Sequence, residues 1–167
     1  MKILIYIRPL EIKDASISFQ WRNDKQVWGF TNFRPAGFVS ETMEIEWLKQ
    51  SLLKHDQKRF AICVKGLDSY IGNVQLIDIT NESAELHLFL GNKLYWGKGV
   101  GLQATKLITQ YGFDELGLNS ICLKVHPANI PALCIYEKVG FEITGKENGL
   151  ILMSLNKVKF QSMSLQK

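Results

Sequence analysis

The chain has no run of the roughly 18 apolar residues that a membrane-spanning helix needs, so no stretch of its 167 residues reads as one. Its opening, MKILIYIRPLEIKD, holds an apolar stretch too short for a secretory signal and soon interrupted by Arg8 and Glu11; the expectation is a cytoplasmic protein. Its three cysteines, Cys63, Cys122 and Cys134, form neither a CxxC pair nor a Cys/His metal spacing. No metal site is expected, and the apolar neighbours predict small buried hydrophobes in a reducing compartment. Blocks of like charge are missing as well. The net charge of +4 is spread along the chain, without the basic run or aromatic–basic repeat of nucleic-acid modules. Nucleic acid and membrane are thereby excluded as expected partners, and a modest lean toward a small anionic ligand remains. Internal repeats and low-complexity segments are absent too.

What is present is the composition of an ordinary folded domain, 46% hydrophobic and 22% charged. The length supports one well-buried core, so the expectation is a single domain over residues 1–157 and a polar, fraying tail over 158–167. Residues 2–8 alternate after a β-branched start and predict a strand ended by Pro9. A short helix is expected over 14–22 with Asp14 as N-cap, and a second from Ser40 to about His55, where Ile45, Leu48 and Leu52 fall at helical spacing. Between them, residues 23–39 carry Trp28, Phe30, Phe33 and Phe38 among Gly and Pro. Those rings either cap the core or line a ligand pocket. Three strand signals follow, over 60–64, 70–79 and 84–90, joined by turns short enough for antiparallel hairpins. Val100, Ala104, Leu107, Ile108 and Tyr111 then recur as the apolar stripe of a helix that Gly117 should stop. A strand over 120–125 can pair parallel to the one before that helix by a right-handed crossover. A helix over 129–139, with Pro131 in its first turn and Gly140 past its end, and a final hairpin turning at Glu147, Asn148 and Gly149 complete the pattern. The fold class is α+β: a mixed, mostly antiparallel sheet of about seven strands, with a central crossover helix and helices on both faces.

The stretch ELHLFLGNKLYWGKGVG, residues 85–101, is the one around which the rest is arranged. Gly97, Gly99 and Gly101 alternate with Lys98 and Val100 directly before a helix, so bare N–H donors and the positive end of a helix dipole face one spot. That is a phosphate-binding arrangement, or else an ordinary glycine-softened turn. The Walker spacing is not met, since Gly91 lies one residue too far away and Gly99 follows Lys98. The dinucleotide fingerprint is not met either, because the run is G-x-G-x-G without a repeated strand–helix–strand unit before it. The pyrophosphate arm of coenzyme A is the remaining phosphate reading.

Together with that turn, YIGNVQLIDI, AELHLFLG and NIPALCIYEKVGF follow in an order that resembles the GCN5-related N-acetyltransferases (GNAT) over residues 5–155, specifically the branch of the ribosomal-protein N-terminal acetylases. The resemblance implies acetyl-CoA as co-substrate and no metal. It implies that the backbone of Phe89, Leu90 and Gly91 lies beside the pantetheine arm and that the amides of Gly97, Lys98, Gly99, Val100 and Gly101 hold the pyrophosphate. It also implies that Asn129 bonds the cofactor's arm and that Tyr136 sits by the thioester sulfur. Three positions depart from the family pattern: Trp96 replaces the usual Gln or Arg, Ala132 replaces a frequent Ser, and Lys124 stands where some protein N-terminal acetylases carry a catalytic Glu.

Acetyl transfer to an amine needs a neutral nucleophile and a stabilised thiolate. A tyrosine hydroxyl, of reference pKa about 10 against about 8.5 for a thiol, can protonate departing sulfur, which makes Tyr136 the expected acid; the alternative is a plain core aromatic. Glu85 and His87 share a strand face with Phe89 and are the candidate bases, or are structural residues. Arg22 and Asn23, in WRND, precede the aromatic loop. Arg22 either clamps a phosphate or carboxylate of the acceptor or pairs with Asp24. WRND with YIGNVQLIDI is similar to amino-sugar acetyltransferases, so the expected acceptor is a small-molecule amine, a nucleotide-linked amino sugar, handled by a monomer or homodimer. Alternatives are a protein N-terminus, an aminoglycoside, a polyamine, or a non-catalytic acyl-CoA-binding module.

Overall fold

The computed structural model describes residues 3–30 and 36–164. Phe33, in the aromatic loop, lies outside the described residues. Seven strands form one sheet: β1 (Ile5–Pro9), β2 (Lys58–Val64), β3 (Tyr70–Ile77), β4 (Ser83–Phe89), β5 (Ser120–Val125), β6 (Glu142–Glu147) and β7 (Leu150–Asn156). Their order is β1-β2-β3-β4-β5-β7-β6, and every neighbouring pair is antiparallel except β4 and β5. The helices are α1 (Ala15–Arg22), α2 (Glu41–Leu52), α3 (Val100–Asp114), α4 (Ile130–Val139) and α5 (Lys157–Ser164).

Alternation along the strands sorts the two faces. Ile62, Val74, Leu76, Leu86, Ile121, Leu123 and Met153 point into the main core with Val100, Ala104, Ile108 and Phe113 of α3 and Val139 of α4. The intervening residues of β2 and β3 face α1 and α2, where Ala61, Cys63 and Tyr70 bury against Leu48 and Ala15. The crossover from β4 through α3 to β5 is what makes their pairing parallel. The last hairpin turns at Asn148 (φ +48°) and Gly149 (φ +80°), two left-handed residues of the kind that suit the twist of antiparallel strands.

Several expectations are corrected. Asp14 does not cap α1 with its side chain; its carboxylate accepts from the Glu11 N–H at 2.8 Å and from both Nη atoms of Arg8, closing a single 3-10 turn over Ile12–Asp14. Ser40 does cap α2, its Oγ accepting from the Met43 N–H. The polar tail does not fray over 157–164: it coils into α5, and Phe160 packs on Phe113 with ring centroids 5.4 Å apart. Only Cys63 is buried. Cys122 and Cys134 are exposed, because one lies on the sheet face away from α3 and the other on the outside of α4.

Candidate active site

β4 and β5 stay paired for three residues only, Ser83 with Ser120, Ala84 with Ile121 and Glu85 with Cys122. Beyond them β4 remains bonded to β3 as far as Phe89, and β5 remains bonded to β7 as far as Val125. The two strands therefore part, and the backbone edge of β4 over residues 86–89 is left open toward β5. An extended chain laid in that opening meets unpaired N–H and C=O groups, as an added strand would.

The first turn of α3 lies beyond that end of β4. Gly97 (φ +70°) and Gly99 (φ +76°) take left-handed conformations, and a Cβ on either would meet nothing within 4 Å. Open space at both positions is what a cradle for a ligand requires, and the amides of Val100, Gly101 and Leu102 lack intrahelical partners because they begin the helix. Gly101 serves a different purpose. A Cβ there would come within 2.9 Å of Ile135 Cδ1 on α4 and 3.5 Å of Leu88 Cδ2 on β4, so the missing side chain lets α3, α4 and β4 converge. Lys98 is exposed beside the turn. Trp96 donates its indole N–H to the Leu90 carbonyl at 2.8 Å, fixing the chain between strand and glycines. Gly91 is buried against the ring of Trp21, which leaves no room for a side chain.

Tyr136, next to Ile135 on α4, is buried (7% exposed) with its ring edge-on to Phe141. Burial pushes its hydroxyl up to about 12, so it is a proton donor at neutral pH. Asn129 is the N-cap of α4, its Oδ1 accepting from the Ala132 N–H at 3.3 Å. Gly140 (φ +112°) ends the helix, with its N–H and that of Phe141 on the Tyr136 carbonyl.

On the opposite sheet face, His87 Nε2 and Glu85 Oε1 are 2.8 Å apart. A carboxylate accepts only, so in the neutral ring the proton sits on Nε2 and the lone pair on Nδ1. Phe89 stacks with Trp28 at 4.8 Å and meets Trp21 edge-on at 5.8 Å. Phe30 lies 5.7 Å from the ring of His126, just past β5. The loop after α1 thus touches both sides of the opening, Trp28 on the β4 side and Phe30 on the β5 side. Trp28 packs on Phe89 of β4, whereas Phe30 and Phe38 are exposed.

Arg22 is placed by α1 under this loop, but not as a partner of Asp24. Its Nε donates to both oxygens of Glu44 on α2, at 3.1 and 3.3 Å, while Asp24 pairs with Lys93. Glu44 is 2% exposed and also accepts from Ser18 Oγ at 2.7 Å. The Arg22 guanidinium lies over Trp47 at 4.2 Å and Trp28 at 5.1 Å. Asn23 is structural. Its amide donates to the carbonyls of Phe19 and Val39 and accepts from the Val39 N–H, tying the two ends of the 23–39 loop together. Lys124 pairs with Glu147 at 2.9 Å, which raises the lysine's pKa and lowers the carboxylate's.

Composition and spacing offer no hint of Arg59. It lies on the same sheet row as Gln75 and His87, register partners across β2, β3 and β4. Its guanidinium sits 4.9 Å from the Trp47 ring and donates to Gln57 and Gln75. Only the register reveals that it shares a face with the candidate base.

A family model described as acetyltransferase (GNAT) domain matches residues 5–142. An uncharacterized N-acetyltransferase, p20, of Bacillus licheniformis is 33% identical over 83% of this chain and 79% of its own length. Among solved structures, spermidine N-acetyltransferase from Vibrio cholerae, in complex with CoA and spermine, superposes with a TM-score of 0.83 at 23% identity, covering 94% of this chain and 98% of that one. Apo FdhC, a nucleotide-linked sugar GNAT, superposes with a TM-score of 0.83 at 21% identity, covering 99% of this chain and 94% of that one.

Proposed function

Because the chain belongs to the acetyltransferase (GNAT) domain family and is a GNAT N-acetyltransferase, we propose that it acetylates the primary amine of a nucleotide-linked amino sugar, by direct attack on acetyl-CoA in a ternary complex. This reading sets it beside the small-molecule relatives of the ribosomal-protein acetylase branch, as a single-domain cytoplasmic enzyme acting as a monomer or homodimer. The residues fit the co-substrate. The open edge of β4 up to Phe89, leading to Leu90 and Gly91, suits a pantetheine arm, the open left-handed glycines at 97 and 99 suit a pyrophosphate, and Asn129 caps the start of α4. When bound, acetyl-CoA supplies the activated acetyl group.

The chain's own residues then handle protons. His87, held by Glu85, takes a proton from the acceptor's ammonium, directly or through water. Tyr136 donates its hydroxyl proton toward the leaving sulfur, and burial keeps that proton in place at neutral pH. An amine of pKa near 8 is about a quarter neutral at pH 7.5, whereas one near 10.4 is only about a thousandth neutral, so the weight on His87 grows with the basicity of the acceptor.

The observation that carries the acceptor class is the charge balance around the site. Polycationic acceptors call for uncompensated carboxylates, and here Glu44, Glu147 and Asp24 are each held by a cation, Arg22, Lys124 and Lys93, while Glu85 is hydrogen-bonded to His87. Lys124, tied to Glu147, also stands where some protein N-terminal acetylases carry a Glu as base. The test is thiol release from acetyl-CoA with nucleotide-linked amino sugars, short peptides, polyamines and aminoglycosides. Turnover concentrated in the first group is expected. Turnover of polyamines alone would transfer the assignment to them, and silence across the panel with acetyl-CoA still bound would favour the non-catalytic module.

A further inference from the structure

Two cations meet at Trp47, and among the described residues only one has an acid. Arg22 is matched by Glu44; among the described residues its Nη atoms make no hydrogen bond, while two indoles hold the guanidinium plane. Arg59 bonds the side-chain oxygens of Gln57 and Gln75, and burial together with the charge of Arg22 pushes its pKa down to about 10. Among the described residues no carboxylate pairs with it. A partly buried guanidinium placed beside another and given no acid is costly in the free protein, and a bound oxyanion removes that cost. Arg59 also forms a wall of a cleft of about 320 Å³ at the end of α2, where Lys54, His55 and Lys58 add positive or titratable groups and no acid contributes. From His87 to Arg59 is two strand spacings along one row, about 10 Å.

We propose that Arg22 and Arg59, set on Trp47, are specificity-determining residues that read an oxyanion, phosphate or carboxylate, carried about 10 Å from the amine that is acetylated. This rests on the acetyltransferase reading and adds to it what the acceptor must carry. The Nη fork of Arg22 supplies paired donors of the kind that match such a group, and Arg59 supplies the unbalanced charge.

The test compares an amino sugar, its 1-phosphate and the corresponding amino uronic acid as acceptors, for the wild type, Arg59→Gln and Arg22→Lys. The last keeps a cation beside Glu44 and removes the fork. The phosphate is expected to lower KM at least about 10-fold relative to the parent amine, and each substitution to raise KM for the phosphate about 10- to 100-fold more than for the parent. A matching gain for the uronic acid assigns the site to carboxylates as well; a gain for the phosphate alone restricts it to phosphate. Equal KM for all three acceptors, or an equal rise for all three in the variants, would overturn the proposal while leaving the acetyltransferase reading intact. A readout without turnover is calorimetry with inorganic pyrophosphate on protein saturated with coenzyme A. Wild type should bind it at least about 10-fold more tightly than Arg59→Gln, and equal binding overturns the proposal even if no acceptor is turned over. Absence of thiol release with every amine would count against the acetyltransferase reading and leave the pyrophosphate result to decide this one.

Discussion

Glu44 is the residue most committed to its surroundings, a buried carboxylate between Ser18 and Arg22. Glu44→Gln leaves Arg22 without its counter-charge and should cost about 3 kcal/mol of stability by urea denaturation. Pairing Glu44→Leu with Arg22→Met should cost less than the sum of the single changes, because neither charge is then orphaned. Tyr136 makes a different prediction. Its hydroxyl, raised by burial, contributes stability below the unfolded value near 10 and loses it as pH rises toward 12. The pH profile of kcat/KM should accordingly climb as the acceptor's ammonium deprotonates and show no descending limb from Tyr136 below about pH 10. These roles differ in how much of them the sequence contains. The place of Tyr136, buried on α4, is legible from a motif on one helix. The tie from Arg22 to Glu44 joins two helices through side chains 22 positions apart, and the nearer acid, Asp24, is the natural but mistaken partner.

At the scale of elements, the site is made by where pairing stops and where side chains are missing. Gly99→Ala places a Cβ on a left-handed residue and should cost about 1 kcal/mol with a weakened grip on acetyl-CoA, whereas Gly99→Asn should cost less. Gly91→Ala must displace the Trp21 ring; melting curves should show a loss of about 1–3 kcal/mol, and the Trp21–Phe89–Trp28 stack beside the site should loosen. Element order and type are legible because periods of 2 and 3.6 are local: β5 has the expected bounds, and α4 runs to its expected end at Gly140. The parting of β4 from β5 is not, since no residue pattern states how far two paired strands stay together. Phe160 shows the limit from the other side. The tail's polar composition conceals one ring that closes on Phe113 and holds α5 in place.

For the whole molecule, the sheet separates two roles. One face packs α3 and α4, with the glycine turn and Tyr136; the other carries Glu85, His87, Arg59 and the aromatic loop; the gap between β4 and β5 connects them. The positive balance of the chain, +4 in all, is felt by an anionic acceptor most strongly at low salt. Raising ionic strength from about 0.05 to about 0.5 M shortens the Debye length from about 13 to about 4 Å, and KM for a phosphorylated acceptor should rise more than KM for its uncharged parent. The account stands on the gap as the place where acetyl-CoA and acceptor meet, with Tyr136 as the acid. Its most direct test is single-turnover thiol release from acetyl-CoA by Tyr136→Phe, alongside the calorimetric Kd for acetyl-CoA. Release slowed on the order of 100-fold with Kd nearly unchanged is the predicted result; release at the wild-type rate would contradict it.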